Sequence, residues 1–327
     1  MRLDVEEARS LAMRALSAIG HSAEHAQITA DHLVDAALRG VTFGGLPRIL
    51  AIAERMAKYP DRRRPIRVVH ETPVSAQIDG GDNVGYVVAQ QATKLAIAKA
   101  KESGIAVVGA IDTYYTGLFA YYVEMATREG LVAMAAGNGS PMVAPHGATE
   151  PRFSTNPIAF GFPTTGDPVI WDIGTASIMQ GEVMMHMRLG ESLPDGMAFD
   201  SAGRPTTDPV AALAGAVRVW GGHKGSGLAA VVQLLGVLCG TEAMPEGLEG
   251  FGYFVLVIDP ALLGPADTFK SRTATFAEAV RGARPEASGS PVRMPFDRSA
   301  AERRRRLVEG VEVPDVVCAS LETLCKR

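Results

Sequence analysis

The chain has 327 residues, 47% of them hydrophobic, and a formal net charge of -4 at pH 7. This length supports one large or two ordinary domains with a sizeable core. The weakly acidic balance excludes a global attraction to nucleic acid or to an anionic membrane. Arg62 to Arg64 and Arg303 to Arg306 are local exceptions, explained by a solvated loop and a solvated helix face. Cys239, Cys318 and Cys325 make no CxxC or Cys/His spacing, which argues against a disulfide framework or metal site and fits a reducing compartment. Met1 to Glu7 lacks an apolar signal segment, and Leu228 to Cys239 is shorter than the roughly 20 residues that span a bilayer. A cytoplasmic protein with no membrane, nucleic-acid or metal partner is expected.

In chain order, Asp4 caps a helix running to about Ile19, and Ser22 caps another ending near Arg39, with Gly40 as its stop. A third helix runs from near Leu46 to about Lys58, with Pro47 in its first turn. Ile66 to Val69 and Val74 to Ile78 read as strands, closed by a turn at Asp79-Gly80-Gly81-Asp82. A long helix from Val84 to Ser103, a strand from Ile105 to Ile111, a helix from Leu118 to Arg128 and a strand from Leu131 to Ala136 follow. Strand, helix and strand in succession indicate an α/β layer. Ile158 to Phe162 and Val169 to Trp171 are further strands. Leu189 to Ala211 reads as an ordered excursion that brings Trp220 to Gly227 alongside Asp172. Leu228 to Cys239 is a buried helix, Phe254 to Ile258 a strand, Ser271 to Arg281 a helix, and a charged helix starts near Ser299.

Four places carry candidate chemistry. Gly221 to Gly227 enters a helix and includes Lys224, which suits a phosphate: helix starts present unpaired N–H groups, and lysine adds a full charge. The spacing fits neither GxxxxGK[ST] nor GxGxxG, so a plain glycine-rich turn explains it equally well. Arg48 sits one turn into a helix after a glycine-rich loop, and its guanidinium suits a carboxylate; a surface arginine is the alternative. Tyr114 and Tyr115 lie at a strand end, where α/β enzymes place chemistry, or are core-edge aromatics. Asp172 to Ser177 ends a strand in an acid, a glycine and hydroxyls, which suits a ribose or phosphate and also resembles a helix cap.

Taken together and in order, Ile78-Asp79-Gly80, Asn138 to Gly147, Thr155-Asn156-Pro157, Asp172 to Gly181, Thr206 to Pro209 and Gly222 to Leu228 resemble the malate/L-lactate dehydrogenase family. This family is unrelated to the Rossmann dehydrogenases and includes ureidoglycolate and sulfolactate dehydrogenases, diketogulonate reductase and cyclic ketimine reductases. The resemblance implies a three-layer α/β/α fold with a mixed, largely antiparallel sheet and an N-terminal helical segment. It divides the chain into a substrate-side part at 1–115, an NAD(P)-binding core at 116–292 and a C-terminal tail at 293–327. It further implies a homodimer, NAD or NADP as cofactor, and a small carboxylate-bearing keto, hydroxy or cyclic imino acid as substrate. Carried over by position, Asp172, Ile173, Gly174, Thr175, Lys224, Gly225, Ser140 and Asp297 would contact the cofactor. Met142 would wall the substrate pocket, and Arg48 would hold the substrate carboxylate.

Four departures qualify the resemblance. The family's Ser-His-Gly falls on Phe43-Gly44-Gly45, so its catalytic histidine is missing, and a second family histidine falls on Tyr115. The family's Pro-Gly-Glu falls on Pro295-Phe296-Asp297, and Glu182 stands where many relatives have lysine. Tyr115 is then expected to supply the proton, with Lys224 or Arg48 easing phenolate formation and Tyr114 in reserve. His146 and His223 are weaker candidates, because a histidine beside a turn is usually structural. An iminium substrate, already cationic, would need less acid. A nucleotide-binding sensor or partner subunit without activity is the alternative reading.

Overall fold

The computed structural model describes residues 1–287 and 289–326. After the short strand β1 (Arg2–Leu3), helix α1 (Val5–Ala18) opens on a capping box. Asp4 accepts from the Glu7 amide at 2.8 Å and Glu7 accepts from the Asp4 amide at 2.9 Å. Helix α2 (Ala23–Leu38) is capped by Ser22 and ends before Gly40, whose φ of +83° suits glycine. A 3-10 turn at Thr42–Gly44 leads into α3 (Arg48–Lys58).

Next come β2 (Arg67–Thr72), β3 (Ser75–Val84), α4 (Gly85–Ser103), β4 (Ile105–Tyr114), α5 (Phe119–Arg128) and β5 (Val132–Asn138). They are followed by β6 (Val143–Ala144), β7 (Ile158–Phe162), β8 (Val169–Ile173), α6 (Gln180–Leu189), β9 (Ala198–Phe199), β10 (Pro205–Thr206), α7 (Pro209–Ala214) and β11 (Ala216–Arg218). The chain closes with α8 (Gly222–Cys239), β12 (Phe251–Ile258), α9 (Ala266–Arg281), α10 (Asp297–Glu309), β13 (Val311–Glu312) and α11 (Asp315–Leu324).

Seven strands form one sheet in the order β2-β3-β4-β12-β5-β7-β8, in which β3 and β4 are parallel and every other pair is antiparallel. This is the expected mixed, largely antiparallel class. The sheet takes strands from both sides of residue 115, where the expected substrate-side part meets the core. Helices α4 and α5 cover one face through Val88, Ala92, Tyr122 and Val123, and α8 covers the other through Val232 and Cys239. Helices α1, α2, α3 and α11 build a separate apolar cluster that reaches Tyr86, Tyr114 and Tyr115. The expected excursion supplies β9 and β10 of a small four-stranded sheet, β10-β9-β11-β6.

Two local readings differ from the structure. Asp79 to Asp82 is not a closing turn: β3 runs on to Val84, absorbing Gly81 and Asp82, both with φ near +57°, in a register shift against β4. Helix α8 begins at Gly222 rather than Leu228, after Gly221 in the left-handed region, so Lys224 lies inside its first turn. Nor is this helix wholly buried, since Val231, Leu234 and Leu238 are 53%, 66% and 71% exposed along one side.

The helical layer is joined to the sheet by a buried ion pair. Arg55 of α3 donates from both terminal nitrogens to Asp82, one contact being 2.6 Å, and its Nε donates to the Leu248 carbonyl at 3.0 Å. Tyr114 lies under the same guanidinium at 4.0 Å. Removing one partner of such a pair leaves a buried charge uncompensated. Arg55→Met is therefore expected to lower unfolding free energy by about 3–5 kcal/mol, measured by urea denaturation; a loss below about 1 kcal/mol would show that the pair is not holding the layers together.

Candidate active site

A cavity of about 260 Å³ lies between the helical layer and the sheet. Phe43, Gly44 and Arg48 come to it from the start of α3, Tyr86 from α4, Tyr115 from the end of β4, and Asp172 and Gly174 from the end of β8. The first turn of α6 contributes Gln180 and Gly181. The structure thus brings together Arg48, Tyr115, Asp172 and Gly174, which are far apart in sequence.

Arg48 makes no ion pair among the described residues. Its guanidinium sits 4.8 Å from the Tyr115 ring centre. A Cβ at position 181 would overlap an Arg48 terminal nitrogen, so Gly181 makes the space through which the guanidinium enters. Tyr115 has φ +50°, a left-handed conformation that is costly for an aromatic residue and concentrates at functional sites. Contrary to the expected eased phenolate, burial raises the Tyr115 pKa, and Arg48 offsets this only in part. Lys224 does not line the cavity.

Asp172 accepts the Ala120 amide at 2.7 Å, so it caps α5 from across the sheet, where Leu118 at the cap position offers no side-chain acceptor. Burial lifts its carboxyl to about 6, against the pull of the α5 amides and Arg39.

The other expected residues are placed as follows. Tyr114 is fully buried against Arg55 with an unpartnered hydroxyl and does not reach the cavity. Ser140 and Met142 line a smaller cavity of about 90 Å³ that shares Ser154, Thr155, Gln180 and Phe251 with the first. Ile173 packs with the apolar residues under α8, and Thr175 is buried, its amide donating to the Thr155 carbonyl at 2.9 Å. The Trp220 amide donates to the Thr175 carbonyl at 2.8 Å, which sets the exposed Lys224 and buried Gly225 beside the Asp172 strand end, as expected. Gly225 has no room for a side chain, because a Cβ there would overlap the Trp220 carbonyl. Asp297 is not brought to this cavity: it accepts from Arg281 at 2.6 and 2.9 Å and from the Met294 amide, in a separate cavity of about 650 Å³. His146 and His223 pack together near the start of α8, away from Arg48.

Sequence reading missed Tyr86, Asn138, Thr155, Gln180 and Phe251, which also line the cavity. Tyr86 follows a strand directly, in the first turn of a helix, and that position was its only signal.

A family profile described as malate/L-lactate dehydrogenase matches residues 3–322. The chain belongs to this family. It is 34% identical to the (2R)-3-sulfolactate dehydrogenase (NADP(+)) of Chromohalobacter salexigens, over 98% of the chain and 96% of that protein. It is equally 34% identical to a Delta(1)-pyrroline-2-carboxylate reductase of Ancylobacter novellus, over 100% of the chain and 98% of that protein. A dehydrogenase structure from Sinorhizobium meliloti superposes with a TM-score of 0.92 at 30% identity, covering 99% of this chain and 98% of that one. This family member is an oxidoreductase of the dehydrogenase and reductase type, and the family is pyridine-nucleotide dependent. No helix among the described residues is long and apolar enough to cross a membrane, and no described cluster of His, Cys, Asp or Glu is arranged for a metal.

Asp172 gives a pH signature. Its carboxyl titrates near 6 in the fold against an ordinary 3.8, so the native state holds a proton that the unfolded chain releases. Unfolding free energy falls as pH rises from about 4 to about 6, by up to about 3 kcal/mol from this group. Asp172→Asn does not titrate. Its unfolding free energy relative to wild type is expected to improve between pH 4 and pH 7, by urea melts; a constant difference would rule out the raised carboxyl.

Proposed function

We propose that the protein transfers hydride between a nicotinamide nucleotide, NADH or NADPH, and a small 2-keto, 2-hydroxy or cyclic imino acid. The observation that carries this reading is Arg48: a cation without an ionic partner among the described residues, facing a cavity whose other polar groups include Tyr115 and Asp172. Guanidinium and carboxylate match in shape and charge, so Arg48 holds the substrate carboxylate. The names of the sulfolactate dehydrogenase and pyrroline-carboxylate reductase relatives fit a substrate of this class.

The nucleotide, when bound, supplies or accepts the hydride. The residues fit such a group: Asp172 to Thr175 meet the start of α8 through the Trp220–Thr175 bond, and Lys224 brings positive charge to unpaired helix amides. Ser140 adds a hydroxyl, and Met142 gives the adjoining cavity an apolar wall.

Where the family has its histidine stands Gly44, which lines the cavity beside Phe43 and brings no acid to it. We assign the proton-donating hydroxyl to Tyr115. Burial keeps that hydroxyl protonated, so it is present to hydrogen-bond the reacting oxygen or nitrogen and to pass its proton there as the hydride arrives. Cyclic imino acids, cationic before reduction, ask least of such a group. The inactive nucleotide-binding reading draws on the same missing histidine, but it leaves the unpaired Arg48 without a task.

The exposed stripe Val231, Leu234 and Leu238 on α8 supports a homodimer, since a contiguous apolar face calls for a cover. Sedimentation velocity is expected to give a dimer at micromolar concentration; a monomer throughout would remove this part of the reading.

Oxidation of NADH and NADPH against matched panels of 2-keto acids and cyclic imino acids tests the function, with imino acids expected to react faster. Arg48→Met should raise KM on the order of 100-fold. Tyr115→Phe should lower kcat roughly 10- to 100-fold, more for keto than for imino acids. Cofactor binding without oxidation across both panels would favour the inactive reading, and near-normal turnover by Tyr115→Phe would remove the tyrosine.

A further inference from the structure

We propose that Tyr86 is a substrate-recognition residue, donating its hydroxyl proton to the carboxylate that Arg48 holds. This rests on the function proposed above and sharpens its substrate class to an anion read by a cation and a neutral donor together.

Tyr86 is 1% exposed and lines the cavity, and its hydroxyl proton finds no acceptor among the described residues. Buried hydroxyls are rarely left so, because removal from water without a partner is costly. The Arg48 guanidinium lies close enough to act on this hydroxyl, yet it carries donors only. The tyrosine oxygen can face Arg48, but the tyrosine proton cannot be accepted there. It needs an acceptor from outside the protein. Burial pushes the Tyr86 pKa up to about 12, so the proton is present at any working pH.

The ring is held from behind. The His32 ring meets it edge-on at 4.7 Å, and His32 is itself fixed by accepting the Leu118 amide at 2.9 Å. Gly117, at φ +77°, lets the chain pass tightly: a Cβ there would collide with both Tyr86 and His32. With the ring immobilised, the hydroxyl cannot swing out to water. Tyr115, whose ring centre lies 4.8 Å from the Arg48 guanidinium, keeps its hydroxyl for the reacting atom. The Arg48 end of the cavity thus presents the Tyr86 hydroxyl beside a guanidinium, and a carboxylate oxygen is the acceptor that completes it.

The test compares wild type, Tyr86→Phe and Arg48→Met as full chains. Two readouts are taken: KM and kcat on the best panel substrate, and the rise in unfolding temperature on titration with L-lactate and L-proline in the presence of NADH or NADPH. Because the hydroxyl has no partner in the free protein, Tyr86→Phe should unfold at the wild-type temperature or above it without ligand. Its KM should rise roughly 10- to 100-fold, and the carboxylate concentration needed for stabilisation should move up by a similar factor. Unchanged KM and unchanged stabilisation midpoint overturn the proposal, as does an absence of carboxylate-dependent stabilisation in wild type. A lowered unfolding temperature without ligand, at unchanged KM, also overturns it by making the hydroxyl a packing group. If wild type oxidises neither nucleotide with any acid, while carboxylates stabilise wild type more than Tyr86→Phe, the functional reading fails and the role of Tyr86 stands.

Discussion

The buried pair of Arg55 and Asp82 is the constraint on which the cavity depends. Arg55 lies two turns after Arg48 on α3, and Asp82 lies where β3 shifts register against β4, three residues before α4 begins. The pair therefore joins the element that brings the guanidinium to the elements that bring Tyr86 and Tyr115. A charge taken out of water at this depth holds only with its partner in place, so the distance between the layers tolerates little variation. The left-handed conformation of Asp82, at φ +56°, aims its carboxylate back toward α3.

Beyond that joint, the chemistry of the cavity is one of mismatched donors and acceptors. At one end stand Arg48, Tyr86 and Tyr115: the guanidinium can donate to a tyrosine oxygen, but the Tyr86 proton has no acceptor among the described residues. Toward the other stands Asp172, a carboxyl lifted by burial and steadied by the first amides of α5. On the function proposed above, the carboxylate seats at the arginine and the atom to be reduced lies between Tyr115 and the strand end; a substrate that carries its own positive charge then asks least of the Tyr115 hydroxyl.

Much of this was legible from residue order. The helix starts at Asp4 and Ser22, the stops at Gly40 and Gly104, and the strands at 158–162 and 169–171, the second running on to Ile173, follow from local signals, since caps and left-handed glycines act within one turn. The family motifs pointed to Arg48, Tyr115 and Asp172, and the chain does bring those three to one cavity. The continuation of β3 through Asp79 to Asp82 was not legible, because a Gly-Gly pair between acids signals a turn unless a neighbouring strand is there to absorb the bulge.

By itself, the sequence determined the helices and strands of an α/β layer through periodicity and capping, and its ordered motifs implied the family with its mixed, largely antiparallel sheet; these are properties of residues close in the chain. Only the tertiary structure decided which groups are unsatisfied. That Tyr114 is a packing partner of Arg55 while Tyr115, one residue on, faces the cavity depends on a single left-handed turn. That Tyr86 lacks an acceptor among the described residues, that Asp172 holds its proton to near 6, and that Asp297 is committed to Arg281 all depend on neighbours beyond any local pattern, 16 residues away for Asp297 and 52 for Asp172. Burial and hydrogen-bond partnership are sums over such neighbours, and no local pattern contains them.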